Sequence, residues 1–336
     1  MRLGGGAARA GEGFAGRVGP GEAVRIFTGA HVPEGADGIL LQEDARAEDG
    51  RVTATDSVAP GRWIRRRGLD FAEGDVLLPA GRRLTARDIG LAAAGNHPFL
   101  PVRRRPRVAI LATGDEIMLP GEPARDAAIY SSNSFALAAL IRAAGGEAVI
   151  LPVAPDDRAA ITGLIRDAAG HDLLLTTGGA SVGEHDLVRD ALEAAGYSLD
   201  FWRIAMRPGK PLFHGRGPAG AVLGLPGNPV SAFVCAVLFL LPLLAALQGS
   251  GDFALPVTRH RLGADLPAND TREDYLRAEL RPAPDGVAEA VPAARQDSSM
   301  LRVLAGADVL VIRAPHAPPA AAGTEVEAIS LTALGL

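Results

Sequence analysis

The chain has 336 residues, with 34 basic against 39 acidic side chains and a net charge of −5. That balance excludes a surface built to attract polyanions generally and leaves only local basic pockets. Hydrophobic residues make up 48% and Cys235 is the only cysteine, which excludes disorder, an internal disulfide and a multi-cysteine metal centre, and points to a cytoplasmic protein of two or three domains.

The opening stretch, MRLGGGAARAGEG, has no apolar core of the signal-peptide kind and reads as a frayed start. Short strands are expected at 24–27, 38–42 and 51–54, giving a β-rich unit over 1–72. An extended stretch at 74–84 leads to Thr85, a helix cap for 86–94. The RRRP linker at 103–106 closes the 73–104 segment and marks a domain boundary.

From 105 to 252 the pattern alternates. Strands are expected at 107–111, 147–153, 172–176, 199–205, 211–214 and 221–225. Helices are expected at 132–144, 156–169 (capped by Asp156), 186–195 and 229–247. This βαβα order predicts a central parallel sheet covered by helices on both faces. The 230–247 segment (VSAFVCAVLFLLPLLAAL) has the length and polarity of a membrane span. Its isolation, Pro242 and the preceding LPGNP turn favour a buried core helix. Residues 253–336 read as a small β domain.

Ligands of open α/β sheets bind beyond the carboxyl ends of the strands. Four unusual loops fall there: TGDE (113–116), TTGGASVG (176–183), MRPGKP (206–211) and LPGNP (225–229). Glycines let backbone N–H groups approach an oxyanion, although a tight βα turn also demands small residues. Asp115, Glu116 and Asp186 suit a divalent cation bridging to a ligand, or act only as caps. Arg207 and Lys210 put two cations around a stiff Pro-Gly turn. In the first unit, TGAHVPEGAD (28–37) and RRRGLD (65–70) add a turn-rich loop and three arginines beside an acid.

These pieces, in this order, together with Ser132-Asn133 and a degenerate QDSSML at 296–301, resemble the molybdenum insertases of molybdenum-cofactor synthesis. That is the MoeA family, also represented by the E domain of gephyrin. The resemblance implies an α/β multidomain fold whose central domain is like molybdopterin adenylyltransferases. It implies a transferase that takes adenylylated molybdopterin and molybdate, inserts the metal and releases AMP, with Mg2+ as cofactor. A homodimer is implied, with the active site between the central domain of one subunit and the β-rich domain of the other, and the adenylyltransferase is a candidate partner.

Carried onto this chain, the catalytic residues are Thr28, Asp70, Glu116, Asp186 and Lys210, with Glu116 and Asp186 holding the metal. Substrate contacts fall on Arg65, Thr113, Gly114, Asp115, Asn133, Asp156, Gly178, Gly179, Ser181, Gly183, Arg207, Pro208, Gly209, Pro226, Gly227, Asn228 and Ser298. Two departures stand out. Arg207 takes the place of the first lysine of the family's K-P-G-K-P. No D-G-Y-A motif precedes Phe14, so 73–104 is expected to be a remnant of the family's first domain. The alternative expectation is a shortened, catalytically impaired relative that binds molybdopterin as a scaffold.

Overall fold

The computed structural model describes residues 1–178, 187–218 and 220–336. The chain divides into two compact units, Met1–Leu77 and Leu78–Leu336.

The first unit is built on a four-stranded sheet in the order Glu22–Ile26, Arg2–Ala8, Arg51–Ala54, Ala45–Glu48. Arg2–Ala8 is thus a paired strand and not a frayed start. It runs parallel to Glu22–Ile26, with a register break between Leu3 and Ala7 where the glycines lie. The strand expected at 38–42 does not form. Ile39 donates a single backbone bond to Arg62 O (3.1 Å) and the chain turns into a short 3-10 helix at Gln42–Asp44. The 74–84 stretch likewise joins no sheet. Of the large loop that follows Ala54, most residues are exposed.

In the second unit, Thr85 caps the Ala86–Ala94 helix through a capping box with Asp88. The central sheet has the order Ser198–Phe201, Phe213–Gly217, Gly220–Leu225, Leu173–Thr177, Arg107–Ala112, Glu147–Ile150. Its last four strands are parallel, while Phe213–Gly217 pairs antiparallel on both sides. A short hairpin therefore stands where a helical crossover would be needed to keep the sheet parallel throughout.

Strand residues alternate between two apolar layers. Val108, Ile110, Leu173 and Leu175 face one cluster, and Ala109, Leu111 and Leu174 face the other. All are almost fully buried, which is why these strands read as continuous apolar runs. The first layer includes Asn133–Ala143 and the Pro229–Leu247 helix, the second Arg158–Asp167 and Leu187–Ala194. Among the described residues, the long helix is the one segment with the length and composition of a membrane span. Here Val230, Val234, Val237, Leu240 and Leu244 are wholly buried against the sheet. A π turn at Ala236–Leu240 precedes Pro242, whose missing N–H then falls in the first turn of the closing segment Leu241–Leu247.

The carboxyl-terminal strands Val257–Leu262, Glu273–Pro282, Ala288–Pro292, Val309–Arg313 and Glu325–Ser330 form one sheet. Glu273–Pro282 pairs with both Ala288–Pro292 and Val309–Arg313, so the sheet closes on itself. The Met206–Arg207 segment adds to it in parallel beside Glu273 and Asp274.

Candidate functional site

Three neighbouring strands end together: Arg107–Ala112, Leu173–Thr177 and Gly220–Leu225. One side chain joins two of these strand ends. Asn133, at the start of its helix, donates from Nδ2 to Thr177 Oγ1 (2.8 Å) and to Gly227 O (2.8 Å). The Thr177 hydroxyl donates to Pro226 O (3.4 Å). Thr113 N donates to Thr177 O (3.3 Å) and Gly114 N to Ala154 O (3.1 Å).

Close approach explains the glycines. A Cβ at Gly178, where φ is +92°, would sit 2.8 Å from Thr113 O. At Gly114, where φ is +136°, it would strike the Glu116 carboxylate. Main chain, without side chains, therefore lines this edge.

Asp115 and Glu116 are exposed beside it. Asp115 Oδ1 accepts from Asp156 N (3.1 Å). The expected helix cap at Asp156 lies one residue later: Asp157 accepts from Ala160 N (2.8 Å) and caps Arg158–Asp167. Asp156 is left in the loop beyond the strand ends, tied to Asp115. Gly179, Ser181, Gly183 and Asp186 lie outside the described residues.

Asn228 sits at the start of the long helix and does not cap it with its side chain. It donates from Nδ2 to Ser298 Oγ (2.8 Å), while Ser298 O accepts from Val230 N (3.0 Å). The degenerate 296–301 motif is thereby brought to the LPGNP loop. Its support was not visible in the sequence. Gln296 clasps the Arg277 backbone, accepting from its N (3.0 Å) and donating to its O (2.9 Å). Arg277 is 1% exposed and donates to Asp297 O (3.3 Å). Burial pulls its guanidinium down to about 10.

The MRPGKP turn departs from expectation at its first cation. Arg207 donates to both carboxylate oxygens of Asp274 (Nε to Oδ1, 2.6 Å), to Asp270 Oδ2 (3.1 Å) and to Asn269 Oδ1 (3.3 Å). Those bonds, with Asp274 foremost, raise its affinity for the proton. Its planar fork is spent on the β domain and not held open for a phosphate. Pro208 and Gly209 are buried, and a Cβ on Gly209 would strike Cys235 Sγ. Burial pushes the Cys235 thiol up to about 12, so it stays protonated and inert at neutral pH. Lys210, in contrast, is exposed. It is the single lysine among the chain's 34 basic residues.

In the first unit Thr28 follows the Glu22–Ile26 strand and is exposed, as are Arg65 and Asp70. Among the described residues no cluster of three acidic, imidazole or thiol ligands exists.

Three family models match, in order, most of the chain. The MoeA N-terminal region (domain I and II) covers 3–95, the probable molybdopterin binding domain 109–246, and the MoeA C-terminal region (domain IV) 259–331. A molybdopterin molybdenumtransferase 2 of Mycobacterium tuberculosis is 37% identical over 319 residues, 93% of this chain and 78% of that protein. The chain belongs to the MoeA family. Its likeness to a solved MoeA protein of Pyrococcus horikoshii has a TM-score of 0.82 at 30% identity, over 96% of this chain and 79% of that one. Against the molybdopterin molybdenumtransferase of Nostoc, also 37% identical, the match spans 78% of this chain and only 61% of the relative's length. The MoeA fold accounts for the central α/β domain and the closed carboxyl-terminal sheet.

Proposed function

We propose that this chain is a molybdopterin molybdenumtransferase: it takes adenylylated molybdopterin and molybdate, seats the metal on the dithiolene sulfurs and releases AMP. The observation that carries the reading is the 37% identity to relatives of that name, sustained over 319 residues.

The chemistry asks for oxyanion recognition, because molybdate and the pyrophosphate of the substrate repel one another. The glycine-lined strand ends suit close approach of phosphate to main chain. Lys210 supplies an exposed point charge for an oxyanion, and the exposed Arg65 is assigned to substrate on the family resemblance of its motif. In a chain that uses arginine at 33 of 34 basic positions, a lysine here marks a site where a compact ammonium serves and a planar fork does not. Asn133 ties the Thr177 strand end to the LPGNP loop.

Glu116 needs a different account, since an exposed carboxylate beside an anionic substrate is repulsive. Mg2+ binds through one or two carboxylates together with substrate phosphates rather than in an all-protein cage. Glu116, with Asp186 as second ligand, would hold it, and the ion would neutralise charge building on the pyrophosphate. Thr28 and Asp70 are assigned catalytic roles on the family resemblance of their motifs. We place the enzyme in the cytoplasm as a homodimer, with the adenylyltransferase as the partner that hands over substrate.

The test is reconstitution with adenylylated molybdopterin, molybdate and Mg2+. AMP release coupled to formation of active cofactor is expected. Tight pterin binding without AMP release would overturn the reading. Sedimentation velocity checks the dimer.

A further inference from the structure

The 61–70 loop carries a side chain that neither the fold nor the reaction above uses. Trp63 has a φ of +65°, a conformation that is a genuine outlier for a bulky residue. It is nonetheless 59% exposed, so no burial of the indole offsets the strain. Strain kept without a packing return points to a functional constraint. The rest of the loop holds the residue in place. Gly61 N donates to Asp37 O (2.5 Å), Ile64 N to Gly61 O (3.2 Å), and Arg62 O accepts from Ile39 N (3.1 Å).

The ring itself is braced on one side. Arg62 Cζ lies 5.6 Å from the indole centroid, and its guanidinium is pinned by Ser57 O (3.0 Å) and Asp56 Oδ2 (3.4 Å). Arg66 reaches back over Gly61, its Nη2 3.9 Å from where a Cβ would stand. Among the described residues, Arg65, Arg66 and Arg67 form no ion pair and all three are exposed. The other tryptophan, Trp202, is instead stacked on Phe213 at 4.6 Å and is only partly exposed.

We propose that Trp63 is a stacking platform for a planar heteroaromatic ring bearing phosphate, with the ring on the indole and the phosphate on Arg65 and Arg66. An oriented indole beside unpaired guanidinium groups recognises this chemistry, because every heteroaromatic base has a π face and guanidinium forks match phosphate. The proposal rests on the insertase reading for its natural ligand: adenylylated molybdopterin carries two such rings, a pterin and an adenine.

The experiment is tryptophan-fluorescence titration and calorimetry of the full chain with AMP, neopterin and ribose 5-phosphate as probes. A ring probe should quench the wild-type signal and ribose 5-phosphate should not. Quenching by AMP assigns the adenine, and quenching by neopterin assigns the pterin. Both Trp63→Leu and Trp63→Phe lose the Trp63 emission, so calorimetry reads them: Trp63→Leu should weaken binding at least about tenfold, whereas Trp63→Phe should retain part of the affinity. Trp63→Asn guards against misfolding, since asparagine tolerates positive φ: it should melt at or above the wild-type temperature and still lose binding. The proposal is overturned if neither ring probe quenches, or if Trp63→Leu binds both as tightly as wild type. These outcomes are read without turnover. Failure of molybdenum insertion with Trp63-dependent quenching intact would sink the insertase reading alone, and insertion at the wild-type rate by Trp63→Leu would sink the stacking proposal alone.

Discussion

The carboxyl-terminal edge of the central sheet and the 61–70 loop are both suited to negative charge, and they are built in opposite ways. At the sheet edge, glycines bring main chain together, Asn133 crosslinks Thr177 to Gly227, and Thr113, Gly114 and Thr177 are buried. Among the described residues, charge enters through the exposed carboxylates of Asp115, Glu116 and Asp156, and through Lys210 on the MRPGKP turn. In the 61–70 loop, charge comes from long exposed arginines, with a braced indole as the one ordered surface. The first arrangement is preorganised by backbone and costs little reorganisation when a ligand binds. The second must order flexible side chains around its ligand. Arg207 is the instructive intermediate: a cation in the right sequence position whose donors the β domain has already taken.

The sharpest way to break this comparison is Glu116→Gln, which keeps the shape of the sheet edge and removes its charge. It should lower the rate of AMP release by about 100-fold, on the order of 2.7 kcal/mol, with an unchanged melting temperature. Wild-type turnover would mean that the edge needs no carboxylate. Next in size is Asn133→Ala. It leaves Thr177 and Gly227 without the amide that joins them, and urea unfolding should show a loss of about 2 kcal/mol. A loss under a few tenths would mean that the loops hold their positions unaided.

How much of this was legible in the sequence follows the same division. The strands Arg107–Ala112, Leu173–Thr177 and Gly220–Leu225 were readable, because strands buried on both faces are unbroken apolar runs. So were Gly114 and Gly178, because only glycine fits their backbone. Arg2–Ala8 was not: a run of glycines and alanines has no side-chain alternation, and its pairing is set by partners at least 18 residues away. The fate of Arg207 was equally hidden, since Asn269, Asp270 and Asp274 lie 62 to 67 residues further on. Ser298 could be named from its motif, but not the Gln296 and Arg277 clasp that positions it.

Lys210→Arg probes whether the exposed cation of the MRPGKP turn is a point charge. The charge is kept and the geometry changes. The ratio kcat/KM should fall about tenfold, roughly 1.4 kcal/mol, mainly through KM for the adenylylated pterin. Full activity would reduce the single lysine to coincidence. Ser298→Ala removes the acceptor for Asn228 and leaves the backbone bond to Val230 in place. It should cost about 1 kcal/mol of stability, with a smaller effect on turnover than Asn133→Ala.

The smallest effect is expected at the opposite end of the same sheet, which serves as the control for all of these. Asp172, just before the Leu173–Thr177 strand, accepts from Arg104 (2.7 and 2.5 Å) and from Arg107 N (2.8 Å). The Arg104 guanidinium, foremost, holds its carboxyl below the usual range against the cost of partial burial. Because the folded-state pKa is depressed, this stabilisation is complete above the unfolded pKa and is lost as pH falls through the folded one. Arg104 is 69% exposed while Asp172 keeps 22% of its side chain in water, so solvent screens the pair and Asp172→Asn should cost about 1 kcal/mol or less at pH 7, and the difference from wild type should shrink on acidification. AMP binding should be unaffected at pH 7. A binding defect in Asp172→Asn would show that the two ends of the sheet are coupled, and the variants at the carboxyl end would then report on the whole sheet and not on their own loops.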